Sequence, residues 1–123
     1  MRRIWIGIGI LVALLGIGMA AMEVMDRQLE TVTQKLEQAS ETENWDEGVS
    51  LAREAQTLWN EKWTLMGTLS DHSDMDSVDE LFAQLEVYQR HRAQTDHAAT
   101  CARLCEAIRD LKENHRINWW NLL

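Results

Sequence analysis

The chain has 123 residues, no proline and six glycines, and four of those glycines lie within its first 18 residues. So few turn-forming residues argue against strands and hairpins, and the remaining length suits one small all-α domain. The formal net charge is −8, from 20 acidic and 12 basic residues. This balance argues against a nucleic-acid partner, which requires a basic protein face.

The first predicted element is a helix that crosses a membrane. Residues 4–22 form a run without a charged side chain. At about 1.5 Å per residue this run is about 28 Å long, close to the thickness of the hydrocarbon core of a bilayer. Trp5 stands at its start, where an amphipathic ring suits the membrane interface. We therefore expect the lipid bilayer to be one partner of this chain.

The charges on the two sides of the apolar run differ in sign. Arg2 and Arg3 precede the run, whereas Glu23 and Asp26 follow it. Basic residues concentrate on the cytoplasmic side of a membrane helix. The pattern therefore predicts a single-pass protein of the cell membrane, with its N-terminus in the cytoplasm and the rest of the chain outside.

Two domains follow from this interpretation. Residues 1–22 form an N-terminal transmembrane signal-anchor, and residues 23–123 form an extracytoplasmic helical domain. The alternative is a cleaved signal sequence of an exported helical protein, since the small residues Gly18, Ala20 and Ala21 could form a cleavage site. The anchor is favoured, because the run is longer than the apolar region of a usual signal peptide.

Small residues recur along one face of the predicted span. Gly9, Ala13, Gly16 and Ala20 follow one another at spacings of 4, 3 and 4. Such positions share one helix face, and small side chains let two membrane helices approach closely. The stripe predicts a packing face for a homodimer or for another membrane protein, although glycine and alanine are also common in such helices by chance.

The first helix is predicted to continue beyond the span to about Ser40. An apolar seam at spacings of 4, 3, 4 and 3 supports this continuation, and it consists of Met25, Leu29, Val32, Leu36 and Ala39. Such a seam on an otherwise polar helix packs either inside the domain or against a second copy of the chain.

Three more helices are expected, at about 45–69, 75–92 and 96–114. Asn44 and Asp96 have the side chains and positions of N-caps for two of them. Because the connections are short, neighbouring helices should be antiparallel. The fold class is therefore all-α: a transmembrane helix followed by a small antiparallel bundle of about four helices, or by two stacked helical hairpins.

The segment after the last helix, residues 117–123, contains two tryptophans and two leucines. It is too apolar for a free tail, and we expect it to fold back over the bundle.

An acidic stretch precedes the third helix. Asp71, His72, Asp74 and Asp76, with Asp79 beyond them, could bind a cation such as calcium. No glycine stands where an EF-hand loop would turn. Capping of a helix N-terminus by these side chains is the favoured alternative.

Two further groups allow a chemical and a structural interpretation. His97, Cys101 and Cys105 share one helix ridge, where they could bind zinc, form a disulfide or fill the core, and core packing is favoured. Trp59 and Trp63 are one helical turn apart and could bind sugars or quaternary amines if exposed, but burial in the core is favoured.

The sequence carries no nucleophile elbow, no metalloprotease motif and no phosphate-binding loop. No pattern in the sequence supports a catalytic triad assembled in space. We therefore expect neither an enzyme nor a bound cofactor.

Several stretches are similar to one protein family. They are Asn44-Trp45, the Trp59 and Trp63 pair, Leu69-Ser70-Asp71-His72-Ser73-Asp74-Met75-Asp76, and the terminal Asn121-Leu122-Leu123. The chain resembles, over nearly its whole length, domain of unknown function 4363, a family of small membrane-anchored proteins of Bacillota. The resemblance implies an all-helical extracytoplasmic domain and carries no activity or site residues. The doubled Trp119-Trp120 and the cysteine pair depart from the family pattern.

Two functions remain in view. The preferred hypothesis is an interaction module, which is a helical domain held at the outer membrane surface as a scaffold or accessory subunit of a membrane complex. The alternative is a sensor that binds an extracellular ligand or cation through the acidic stretch and the tryptophans. The biochemical activity itself is not specified by the residues.

Overall fold

A computed structural model describes the backbone of residues 2–69 and 72–122, and their side chains except at 21–22, 62–69, 72–74 and 114–122. Every regular element in these residues is an α-helix, which confirms the predicted all-helical class and the number of helices. The elements are α1 (Arg2–Glu41), α2 (Trp45–Leu69), α3 (His72–His91) and α4 (Gln94–Leu122).

Helix α1 has two halves with different surroundings. It is unbroken over 40 residues, which corresponds to a length of about 60 Å. Large apolar side chains from Ile4 to Met19 are exposed, whereas Met25, Leu29 and Leu36 are buried. The predicted continuation of the first helix beyond the apolar run is therefore confirmed.

The second half of α1 and the other three helices form an antiparallel bundle. Helix α1 packs against α2 and α4, and α3 packs mainly against α4. The Cys105 thiol donates to the Thr33 carbonyl at 3.5 Å, and the Lys112 ammonium lies 3.3 Å from Glu30. Later residues of α4 thus contact earlier residues of α1, as antiparallel helices require.

The core lies along the seam of α1. All five residues of the seam are buried, so the seam packs inside the domain and is not available to a second copy of the chain. The other helices contribute the remaining apolar core, which consists of Ala52, Ala55, Trp59, Met75, Val78, Phe82, Leu85, Cys101, Leu104, Cys105, Ile108 and Leu111.

The start of α2 is capped as predicted. The Asn44 side-chain oxygen accepts the backbone N–H of Glu47 at 3.2 Å. The Glu47 carboxylate does not return to Asn44; it lies 3.4 Å from the Thr42 hydroxyl, and that hydroxyl accepts the Asn44 N–H at 3.3 Å. The side chains of Asn44 and Thr42 therefore each accept one backbone N–H at this helix end.

The turn between α3 and α4 is a Schellman motif without glycine. Arg92 has a φ of 53°, in the left-handed region. The Ala93 N–H reaches back to the Tyr88 carbonyl at 3.0 Å, and the Arg92 N–H reaches the Gln89 carbonyl at 3.4 Å. These two bonds close the end of α3 and reverse the chain within two residues.

Three boundary predictions were wrong. Helix α3 begins at His72 rather than near residue 75, because aspartates and serines suit a first turn. Asp96 lies inside the first turn of α4 and does not cap it, since the Schellman turn starts α4 at Gln94. The segment after residue 114 does not fold back. It continues α4 to Leu122, and no glycine or proline interrupts it.

Candidate functional site

The exposed half of α1 is the most unusual surface of the described residues. It contains a stretch that is long and apolar enough to cross a membrane, and none of that stretch is buried against the rest of the chain. Helices in protein cores also reach such hydropathy, but they are covered by their neighbours. Here the large exposed apolar side chains of the described residues lie at 4–24, with Val87 the exception.

The small-residue stripe lies on this exposed half. Gly9, Ala13, Gly16 and Ala20 are all exposed. A methyl group added at Gly9 or Gly16 would meet no atom within 4 Å. The stripe is therefore open to a partner helix, as a packing face would have to be.

The same face of α1 stays uncovered above the apolar run. Eighteen residues make five turns of an α-helix, so the four stripe positions recur further along at Arg27, Thr31, Gln34 and Gln38. All four of these side chains are exposed. The bundle thus leaves one continuous face of α1 free. This face has small side chains in the apolar half of the helix and polar side chains in the other half.

Only part of the acidic stretch lies within the described residues. Asp71 lies outside the described residues, and so do the side chains of His72 and Asp74. Asp76 is exposed in the first turns of α3. The cation-or-capping interpretation of these four residues stays a prediction, and within the described part of the chain no group of three or more His, Cys, Asp or Glu side chains could hold a metal ion.

Asp79, at the end of the acidic stretch, has a structural contact. Its carboxylate accepts the indole N–H of Trp59 at 2.6 Å. Trp59 is fully buried, with its ring centroid 6.4 Å from that of Phe82. Burial confirms the core interpretation for Trp59 and removes it as a platform for an external ligand. The side chain of Trp63 lies outside the described residues.

The three residues considered for zinc are part of the core. His97, Cys101 and Cys105 are buried, and both thiols are free. The Cys101 sulfur lies 3.9 Å from the His97 ring. Burial, with a smaller contribution from the neighbouring Cys105, raises the pKa of Cys101 to about 12. These thiols stay protonated near neutral pH, so they are poor nucleophiles and poor metal ligands.

His97 connects the ends of three helices, which the sequence pattern did not indicate. Its ring packs edge-on against Trp45 at the start of α2, with centroids 5.1 Å apart, and lies 3.3 Å from the Gln89 amide of α3. Burial lowers the pKa of His97. The neutral imidazole therefore fits this site. Acidification below the pKa of an exposed histidine should lower the free energy of unfolding, because the buried ring resists protonation.

A solvent-open depression lies over the outer side of α2. Its lining includes Trp45, Arg53 and Arg92, together with the ion pair between Lys35 and Glu54 at 2.9 Å. Basic and acidic side chains both line it. It is open to solvent, whereas small-molecule sites enclose most of the ligand surface.

The fold is thus a helical bundle in which the first helix extends beyond the core as an exposed apolar rod. A family model described as "Domain of unknown function (DUF4363)" matches residues 17–122, and the chain belongs to this family. The resemblance noted in the sequence is confirmed. No curated protein and no solved structure matches the chain. The matched region begins inside the apolar run and ends with α4.

Proposed function

We propose that this chain is a single-pass membrane protein whose bundle acts outside the cell as an interaction module. It serves as a scaffold or accessory subunit of a membrane complex and has no enzymatic activity of its own. The first half of α1 is the uncleaved span, with the N-terminus in the cytoplasm. The observation that carries the proposal is the single unbroken helix α1, which is exposed and apolar in one half and forms the bundle core in the other.

Continuity of α1 has a mechanical consequence. No proline and no break separates the apolar half from the core half, and a regular helix transmits rotation and tilt along its length. A span followed by a flexible linker would only tether the bundle. This helix instead holds the bundle in a defined orientation to the membrane, which an accessory subunit requires.

The free face of α1 is the proposed contact with the partner. At 100° per residue, the small-residue stripe lies about 150° around the helix from the core seam. A second membrane helix could therefore pack on the stripe without meeting the bundle. The partner is either a second copy of this chain or a helix of a larger membrane protein.

Cysteine crosslinking in native membranes tests the packing face. Gly16→Cys lies on the stripe and Gln34→Cys lies on the same face outside the apolar run, whereas Leu11→Cys lies on the opposite face and serves as the matched control. We expect Gly16→Cys and Gln34→Cys to form dimers or larger adducts, and Leu11→Cys to stay monomeric. Equal yields from all three variants would contradict a defined packing face.

Surface labelling tests the orientation. Ala83→Cys places a reactive thiol on the exposed side of α3, away from the free face of α1, while the native thiols are buried. A membrane-impermeant maleimide should label this variant on intact cells. Labelling only after permeabilisation would reverse the topology. Mass spectrometry of the mature protein addresses cleavage, because an N-terminus near Ala21 or Met22 would indicate an exported protein instead of an anchored one.

The sensor hypothesis receives less support. Trp59 is buried and the Asp79 carboxylate binds its indole, so neither is available to a ligand in this fold. What remains of that hypothesis is the stretch from Asp71 to Asp76. A thermal melt of the full chain with and without millimolar calcium tests it, and an upward shift would favour a cation site.

A further inference from the structure

The C-terminal end of α4 lies at a level that follows from its contacts with α1. Cys105 contacts Thr33, and Lys112 contacts Glu30. Antiparallel helices rise equally per residue, about 1.5 Å each. Counting from the first contact places Trp119 level with residue 19, and counting from the second places it level with residue 23. The two counts bracket the end of the apolar run at residue 22.

The residues at this level are suited to a membrane surface. Residues 117–122 are helical and contain no charged side chain, but include Trp119, Trp120 and Leu122. Tryptophan concentrates at the boundary between hydrocarbon and water. Trp120 follows Arg109 by eleven residues, or about three turns, and Arg109 is exposed. Trp120 therefore occupies a position on the outer face of α4, whereas Trp119 follows the buried Ile108 by the same spacing and falls on the core face of the helix.

We propose that the last turns of α4 bind the headgroup region of the membrane that α1 enters, with Trp120 as the anchoring residue. The inference rests on the proposed span of α1. It adds a second point of attachment on the bundle side of α1, away from the small-residue stripe. Two attachments, unlike one, restrain the tilt of the bundle about the span.

The chemistry of the helix end limits how deeply α4 inserts and which lipid headgroups it binds. The last four carbonyls of a helix lack intrahelical donors, and hydrocarbon offers none. The end of α4 therefore stays in the hydrated interface. At nearby levels, the acids Glu23 and Asp26 are offset by Arg27, which pairs with Glu23 at 2.7 Å, and by Arg116. The interface therefore carries no excess of positive charge that would favour an anionic surface. The partner is thus the interface of a zwitterionic bilayer, and binding results from partition of the aromatic side chains into that interface.

Quenching of tryptophan fluorescence by brominated lipid tests the inference. The full chain is reconstituted into vesicles of zwitterionic phosphatidylcholine that carries bromine at a shallow or a deep position of the acyl chain. Tryptophans are replaced by phenylalanine in three variants: W119F/W120F, W5F and W45F. Trp45, at the opposite end of the bundle, is the matched control. Circular dichroism checks that each variant keeps its helical content.

The variants at lipid level and the control differ in their expected results. We expect W119F/W120F to reduce the quenched emission about twofold, because Trp5 still contributes from the other end of the span. Shallow bromine should quench the emission that this variant loses more strongly than deep bromine does. W5F alone should also reduce the quenched emission about twofold, and W45F should leave it unchanged.

Failure of the inference and failure of the span give different results. Quenching that W5F abolishes and W119F/W120F leaves intact would overturn the attachment of α4 while the span stands. An absence of quenching in the unmodified chain would overturn the span and the attachment together. Quenching by deep bromine alone would overturn the interfacial location.

Discussion

The contact between Trp59 and Asp79 should be a major source of stability in the bundle. The indole N–H of a fully buried ring donates to a half-buried carboxylate at 2.6 Å, linking α2 to α3. Asp79→Ala removes the acceptor and leaves a buried donor without a partner. Trp59→Phe removes the donor and keeps most of the apolar ring.

The expected magnitude follows from the cost of burying an unpaired polar group. Leaving a buried N–H unsatisfied costs about 1–3 kcal/mol, and bonds to charged acceptors lie at the upper end. For a domain of this size, 1 kcal/mol corresponds to roughly 4–8 °C in Tm. Asp79→Ala should therefore lower the Tm by at least about 4 °C. Asp79→Asn keeps an acceptor and should lower it less.

The assay is thermal unfolding of the full chain in a mild nonionic detergent, followed by circular dichroism. Asp76→Ala is the matched control, since Asp76 is exposed on the same helix, and it should change the free energy of unfolding by only about 0.5 kcal/mol. Asp79 has further interactions, so a double-mutant cycle with Trp59→Phe isolates the indole contact. We expect a coupling energy of at least about 1 kcal/mol.

Two outcomes would refute this reasoning. One is an Asp79→Ala variant as stable as Asp76→Ala. The other is a cycle in which the effects of Asp79→Ala and Trp59→Phe simply add, since additive effects would mean that the two groups contribute independently.

Three further predictions concern the turns and the core thiols. Asn44→Ala should destabilise the domain by about 1 kcal/mol in urea unfolding, because the backbone N–H of Glu47 loses its cap, whereas Asn44→Asp should be tolerated. Arg92→Gly should raise the Tm, because glycine adopts the left-handed conformation without the strain of about 1 kcal/mol that arginine carries there, while Arg90→Gly inside α3 should lower it. A melting series against pH should show stability declining from about pH 9 to about pH 12, because the unfolded chain loses the Cys101 proton before the folded chain does. Cys101→Ala should flatten that decline, and an unchanged slope would argue against a protonated buried thiol.

Much of the helical architecture was predictable from residue periodicity. The apolar run at 4–22, the seam from Met25 to Ala39 and the cap at Asn44 correspond to α1 and to the start of α2 as observed. Local signals suffice here because hydrophobic spacing and capping act within a few residues along the chain.

The ends of the later helices were less predictable. The start of α4 depends on Arg92, a residue that rarely adopts a positive φ and that no composition rule marks as a turn. The continuation of α4 to Leu122 was missed, because an apolar terminal segment can either fold back or extend a helix, and its spacing is compatible with both.

The sequence by itself determined that the chain is helical, that its first helix begins with a run able to cross a bilayer, and that an amphipathic seam follows on the same helix. Only the tertiary structure decided where each face points. Burial of the seam by α2 and α4 leaves the opposite face of α1 free, and the contacts of Cys105 and Lys112 bring the end of α4 level with the end of the apolar run. Periodicity shows that a face is apolar, but the choice of what covers it depends on packing between residues that are far apart in the chain.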